Sequence, residues 1–168
     1  MTNIAKNRNV KHSGLIKLKD LKLHKLQEAY PNFPYPPIPK YSDKTSNGLT
    51  KCVIDWINLN GYQAERISST GRKIDNTKIV TDCIGRKRSI GQTKWIKGSG
   101  TPGTADISST ILGRSVKIEI KCKATGDRYQ SEAQKNYQKE VETAGGIYLI
   151  VRTFQGFYEW YQEFTKTI

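Results

Sequence analysis

Val116-Lys-Ile-Glu-Ile-Lys121 alternates apolar and charged side chains, and the reading of this stretch decides the fold. A period of two is that of a strand. It puts Ile118 and Ile120 on one face and Lys117, Glu119 and Lys121 on the other. Upstream, Thr104-Ala-Asp-Ile107 reads as a second strand, with Gly113-Arg114 at the turn between the two. Folding back around that turn sets Asp106 opposite Ile120 or Lys121. Two carboxylates, Asp106 and Glu119, then converge beside the Lys121 ammonium. Such a cluster is costly to bury, because like charges repel and each loses hydration. A divalent cation relieves the cost. Mg²⁺ suits one or two carboxylates, with water and phosphate oxygens completing its shell. The ammonium can then position or polarise a metal-bound water. Taken alone, Glu-x-Lys on a strand is most often a solvated face.

The elements around this pair are read by spacing. Leu49, Val53, Trp56 and Ile57 share one helical face, and Gly61 suits the position just past its end. Gln63-Ala-Glu-Arg-Ile67 alternates as a short strand, closed by a turn at 68–71. Residues 72–98 hold two strand fragments, Ile79-Val80 and Trp95-Ile96, with Gly85-Arg-Lys-Arg88 as a basic loop tip between them; a mobile insertion is the alternative. Ala133, Tyr137, Val141 and Ala144 mark a helix ended by Gly145-Gly146. The nearly continuous apolar run Gly146-Ile-Tyr-Leu-Ile-Val151 predicts a strand buried on both faces. Phe157, Trp160, Tyr161 and Phe164 close the chain as an amphipathic helix. The order specifies a small α/β fold, a mixed central sheet flanked by helices.

Ahead of this domain, expected over residues 44–168, lies a basic extension, 1–43. Its weak apolar pattern (Leu15, Ile16, Leu18, Leu21, Leu23, Leu26) predicts a short helix. Five of the chain's six prolines then fall within 31–39, which imposes an extended, polyproline-like linker or strap.

Charge narrows the partners. The 168 residues carry a net charge of +13, a surplus that attracts polyanions. Residues 1–44 hold nine basic and three acidic side chains, residues 66–98 nine and two, and the remainder is nearly neutral. No run approaches the 18 apolar residues of a membrane span, and the first residues lack the apolar segment of a secretory leader. Three cysteines (Cys52, Cys83, Cys122) without CxxC spacing read as reduced thiols of a cytoplasmic protein. Gly98-Ser-Gly-Thr-Pro-Gly103 spells GxGxxG, but a strand follows it where a dinucleotide site needs a helix. His12 and His24 have no ligand partners at metal spacing, and Cys122 faces away from Lys121 as a core thiol. Trp95, between Lys94 and Lys97, is either near nucleic acid or in a sheet core.

Taken together, Thr101-Pro-Gly-Thr-Ala-Asp106 and Ile118-Glu-Ile-Lys121 resemble the signature of the PD-(D/E)xK, restriction-endonuclease-like nucleases, with Ala105 where a proline often stands. Gln130-Ser-Glu-Ala-Gln134, Tyr137 and Ala144-Gly-Gly146-Ile-Tyr148 are similar to the helix and strand that follow that signature. Asn60-Gly-Tyr62, Glu65-Arg-Ile-Ser68 and Gly71 are similar to its opening. The VRR-NUC and Holliday-junction-resolvase-like branch is nearest, and the resemblance spans about residues 45–153. It implies a restriction-endonuclease-like core and metal-dependent hydrolysis of DNA, as in nucleases of phages and mobile elements. Asp106 and Glu119, with the Ile120 carbonyl, would hold Mg²⁺ or Mn²⁺. Lys121 would act on the attacking water, and Gln134 would support the site. Branched or structured DNA is the implied substrate, and cutting both strands implies a homodimer. The chain departs from the pattern early in its first helix, where an acidic residue is usual and only Asp43 and Asp55 are near. That departure motivates one alternative, a catalytically silent nucleic-acid-binding module on the same fold; a protein-interaction inhibitor that turns its basic surface on a nucleoprotein is a third reading. Arg72, Lys73, Arg86, Lys87, Arg88, Lys94 and Lys97 are the expected grip on flanking phosphates.

Overall fold

The computed structural model describes residues 13–33, 35–68, 71–96, 98, 100–122, 126 and 129–166. Its elements are α1 (Ser13–Ala29), α2 (Ser46–Leu59), β1 (Gln63–Arg66), β2 (Arg72–Asp75), β3 (Lys78–Thr81), β4 (Lys87–Ile90), β5 (Thr93–Ile96), β6 (Ile107–Ile111), β7 (Arg114–Ile120), α3 (Glu132–Thr143), β8 (Ile147–Val151) and α4 (Phe154–Lys166). The mixed α/β class expected from the sequence is the class observed. A four-stranded sheet runs β1-β6-β7-β8, with β7–β8 parallel and the other pairs antiparallel.

Alternation along β7 sorts the two faces. Val116, Ile118 and Ile120 are buried against Leu49, Val53, Trp56 and Ile57 of α2 and Phe154, Phe157 and Tyr161 of α4. Each large side chain in that cluster contributes about 1.5–3 kcal/mol by leaving water. Trp56 meets Phe154, Tyr158 and Tyr161 edge-on, with ring centroids 5.1–6.2 Å apart. The Thr45 hydroxyl starts α2 by accepting the Gly48 N–H at 3.1 Å. The opposite face of the sheet carries α3, which buries no residue fully and rests Tyr137 against Tyr148.

Several expectations are corrected by this packing. The first strand of the central hairpin is Ile107–Ile111, so Thr104-Ala-Asp106 leads into it rather than forming it. Its turn is Leu112-Gly113, both at positive φ (52° and 74°), not Gly113-Arg114. A tight two-residue hairpin turn demands that geometry, and Leu112 takes it while packing on the core. With Ile107 paired to Ile118, Asp106 lies one step on, level with Glu119 rather than with Ile120 or Lys121. β8 is half-buried rather than covered on both faces, because it is the edge strand and only the slender α3 shields its outer side.

The N-terminal pattern is a full 17-residue helix, α1. The extension expected to precede the compact domain sends Leu18 into the core, and Gln155 of α4 accepts the Gly14 N–H at 2.9 Å. Between α1 and α2, the described part of 31–40 is irregular and largely exposed. No helix among the described residues is long and apolar enough to cross a membrane.

Candidate active site

Glu119 and Lys121 leave β7 on the face away from the main core, yet they are only 2% and 3% exposed. The Lys121 ammonium lies 3.3 Å from Glu119 Oε1. Gln134, in the first turn of α3, ties them together. Its Nε2 donates to Glu119 Oε1 at 2.6 Å, and its Oε1 accepts from Lys121 Nζ at 3.1 Å. The amide is aimed by helix capping. Ser131 N–H donates to the same Gln134 Oε1 at 2.9 Å, while the Ser131 hydroxyl accepts the Gln134 N–H at 3.3 Å. One glutamine therefore closes the capping box of α3 and orients the buried ion pair.

Asp106 reaches the cluster from the neighbouring segment. Its Oδ2 accepts the Ile120 N–H at 3.0 Å, which fixes the carboxylate beside the backbone that joins Glu119 to Lys121. Tyr148 on β8 faces the same spot. Burial first, and then the Glu119 charge with a smaller push from Asp106, drives the Tyr148 phenol well above its ordinary pKa. Gly103 lets the approach loop pass under α3. Its φ is +81°, and a Cβ there would collide with the Ala133 carbonyl. Beside the cluster, Lys121, Lys135 and Arg152 line a cleft of about 270 Å³ with Tyr129, Gln130 and Ile150. A concave site rimmed by cations favours a phosphate group.

A buried ion pair gains little net stability, since desolvation offsets its attraction. Here the pair is held in place by the Gln134 amide. Asp106, Glu119, Ile120, Lys121 and Gln134 are brought together. Asp43 and Asp55 are used elsewhere: Asp43 accepts the Phe154 N–H at 3.1 Å, and Asp55 accepts the Tyr41 hydroxyl at 2.7 Å. Among the described residues no group of three or more His, Cys, Asp or Glu side chains is placed to share a metal ion.

No family model, curated protein or solved structure matches the chain.

The expected phosphate-gripping residues lie outside the cluster. Arg72 and Lys73 are on β2, Lys87 and Arg88 on β4, Lys94 on β5, and Arg86 is in the turn before β4. Lys97 lies outside the described residues. Strand β4 takes in Lys87 and Arg88 of the expected loop tip, and β2 is a strand that the sequence did not announce. All four strands of this insertion are solvated, so no burial pattern announces them. Trp95 is 62% exposed, which removes the sheet-core alternative. Cys52 and Cys122 are buried thiols, as expected for Cys122, and Cys83 is exposed. Sequence reasoning missed Ser131 and Tyr148. Ser131-Glu-Ala-Gln134 carries a legible S-x-x-Q capping signal, whereas Tyr148 sits in an apolar run with no mark of its own.

Proposed function

We propose that this protein is a metal-dependent endonuclease of the restriction-endonuclease-like kind that hydrolyses phosphodiester bonds in DNA. The observation that carries the reading is the buried Glu119–Lys121 pair clasped by Gln134, with the Asp106 carboxylate anchored beside it. The donor set suits Mg²⁺ or Mn²⁺. Asp106 and Glu119 offer carboxylate oxygens, Ile120 offers a carbonyl, and such hard cations accept few protein ligands. Bound there, the ion would neutralise phosphoryl oxygens and lower the pKa of a water.

The chain's own groups do the rest. Asp106 is held by the Ile120 N–H, so its carboxylate is pre-oriented at no cost in the transition state. Gln134 keeps the Lys121 ammonium at the floor of the cleft, where it donates to the attacking water and offsets charge on the phosphorane oxygens. Lys135 and Arg152 on the rim hold a neighbouring phosphate. The substrate is branched or structured DNA, cut on both strands by a homodimer. Cysteines outside any disulfide suit the cytoplasm.

Among the described residues, the engagement of Asp43 and Asp55 leaves Asp106 and Glu119 as the acids at the site and favours one competing reading, a silent binding module. Cleavage of linear, single-stranded and branched DNA in Mg²⁺ or Mn²⁺ separates them. Wild type is expected to cut. Asp106→Asn should cut at least about 100-fold more slowly, while its affinity for DNA in EDTA holds within about twofold. A wild-type protein that binds all three substrates and cuts none would leave the silent module standing.

A further inference from the structure

Strands β2–β5 are one device. β2 pairs with β5, β3 pairs with β4, and two residues on each strand separate the ladders. The two ladders share one register, from Arg72 opposite Ile96 to Thr81 opposite Lys87, across the unpaired residues between them. The result is a two-stranded ribbon about 30 Å long at the usual rise per residue. Asp82 shapes its tip by accepting the Ile84 and Arg86 N–H groups at 3.1 and 2.8 Å. The ribbon leaves the sheet after β1 and returns before β6, and the Ile67 N–H donates to the Asp106 carbonyl at 2.8 Å.

The two faces of the ribbon differ. On one, Arg72 is level with Ile96, Ile74 with Lys94, Lys78 with Ile90, and Val80 with Arg88. Every one of these pairs sets one cation beside one aliphatic, in a checkerboard. Among the described residues, the acid that reaches this face is Asp82 at the tip, 3.4 Å from Arg88. The other face pairs Lys73 with Trp95, Asp75 with Thr93, Ile79 with Ser89 and Thr81 with Lys87, for a balance near neutrality.

We infer that the Arg72 face of the ribbon enters the major groove of duplex DNA. A two-stranded ribbon fits that groove, whose walls are phosphates and whose floor presents thymine methyl groups. Cations on both strands of the ribbon reach the two walls, while Ile74, Val80, Ile90 and Ile96 meet the floor. The pattern disfavours other occupants. A second copy of the same face would oppose cation to cation, and isolated aliphatics make no continuous stripe for lipid. The inference rests on the reading that the polyanion is DNA, but not on its being cut.

The test is binding of a linear duplex in EDTA across a salt series, by fluorescence anisotropy. The quadruple variant Arg72→Gln, Lys78→Gln, Arg88→Gln, Lys94→Gln should lose at least tenfold in affinity. Its log–log salt slope should flatten by about 0.9 for each phosphate no longer neutralised, up to ~3.6. The variant Ile74→Ser, Val80→Ser, Ile90→Ser, Ile96→Ser should lose affinity with the slope kept. Methyl green, a major-groove ligand, should compete with the wild type, and distamycin in the minor groove should not. Thermal unfolding checks that the main core is intact. Unchanged affinity and slope in the quadruple variant, or competition by distamycin alone, overturns the inference, whatever happens to vesicle binding or self-association. A wild type that binds through this face yet never cuts would sink the nuclease and leave the ribbon's role intact.

Discussion

Lys121→Met is expected to slow DNA hydrolysis by about 10²–10³-fold and to destabilise the fold by about 3–5 kcal/mol. The two losses have separate causes. Methionine fills much of the space of the lysine stem, so packing changes little. The ammonium, however, lies 3.3 Å from Glu119 Oε1 in a site where both side chains are nearly shut off from water. Without that cation, the Glu119 carboxylate stays buried with its anionic charge uncompensated by Lys121. The double variant Glu119→Gln/Lys121→Met removes both charges. It should regain most of the stability, because a neutral pair carries no desolvated ion. It should regain no activity. Urea unfolding and cleavage rates on the wild type, the two single variants and the double variant close the cycle. A coupling energy near zero would show that the pair is not an electrostatic unit. A Lys121→Met variant that cuts at the wild-type rate would remove Lys121 from the chemistry.

Phe154→Ala is expected to cost about 3–5 kcal/mol and to lower the melting temperature by something on the order of 10 °C. Phe154 is fully buried, 6.2 Å from the Trp56 ring and 5.9 Å from the Phe157 ring by centroids. Its own N–H is held by Asp43 Oδ2, so α4 starts at a fixed place and the cavity left by truncation cannot close by sliding the helix. The control is Tyr35→Ala, at an exposed position of the irregular segment, expected to stay within about 0.5 kcal/mol of wild type. Differential scanning calorimetry compares the two. An equal, small shift for both would mean that the aromatic cluster is not where the stability resides.

The sequence exposed the helices and the central hairpin because each sends its apolar side chains to one face. Leu49, Val53, Trp56 and Ile57 repeat at helical spacing since one face of α2 meets the sheet, and β7 alternates because one face enters the apolar core while the other carries the buried polar pair Glu119 and Lys121. The meeting of Asp106, Glu119, Lys121 and Gln134 followed from that alternation and from a resemblance in their spacing. The turn at Leu112-Gly113 was hidden because a leucine at positive φ breaks the local rule and is held by packing instead. The ribbon was half-legible. Its cations were plain, but a solvated strand has no apolar period, and the pairing that sorts its two faces is long-range. Tyr148 was unreadable for the opposite reason, since an edge strand beneath a helix looks uniformly apolar. The length of α1 was masked by lysines on its exposed side, and what it packs on is long-range: Leu18 enters the core, and Gly14 donates to Gln155 of α4.

The way α1 is fastened has a consequence for the chain as a polymer. It docks through Leu18 and a hydrogen bond from Gly14 to Gln155, but it joins the rest only through the exposed segment before α2. A single backbone cut at Lys40 would leave a two-piece protein whose smaller piece is retained by adhesion alone. Folding, unimolecular while the tether supplies an effective concentration of about a millimolar, would then depend on dilution.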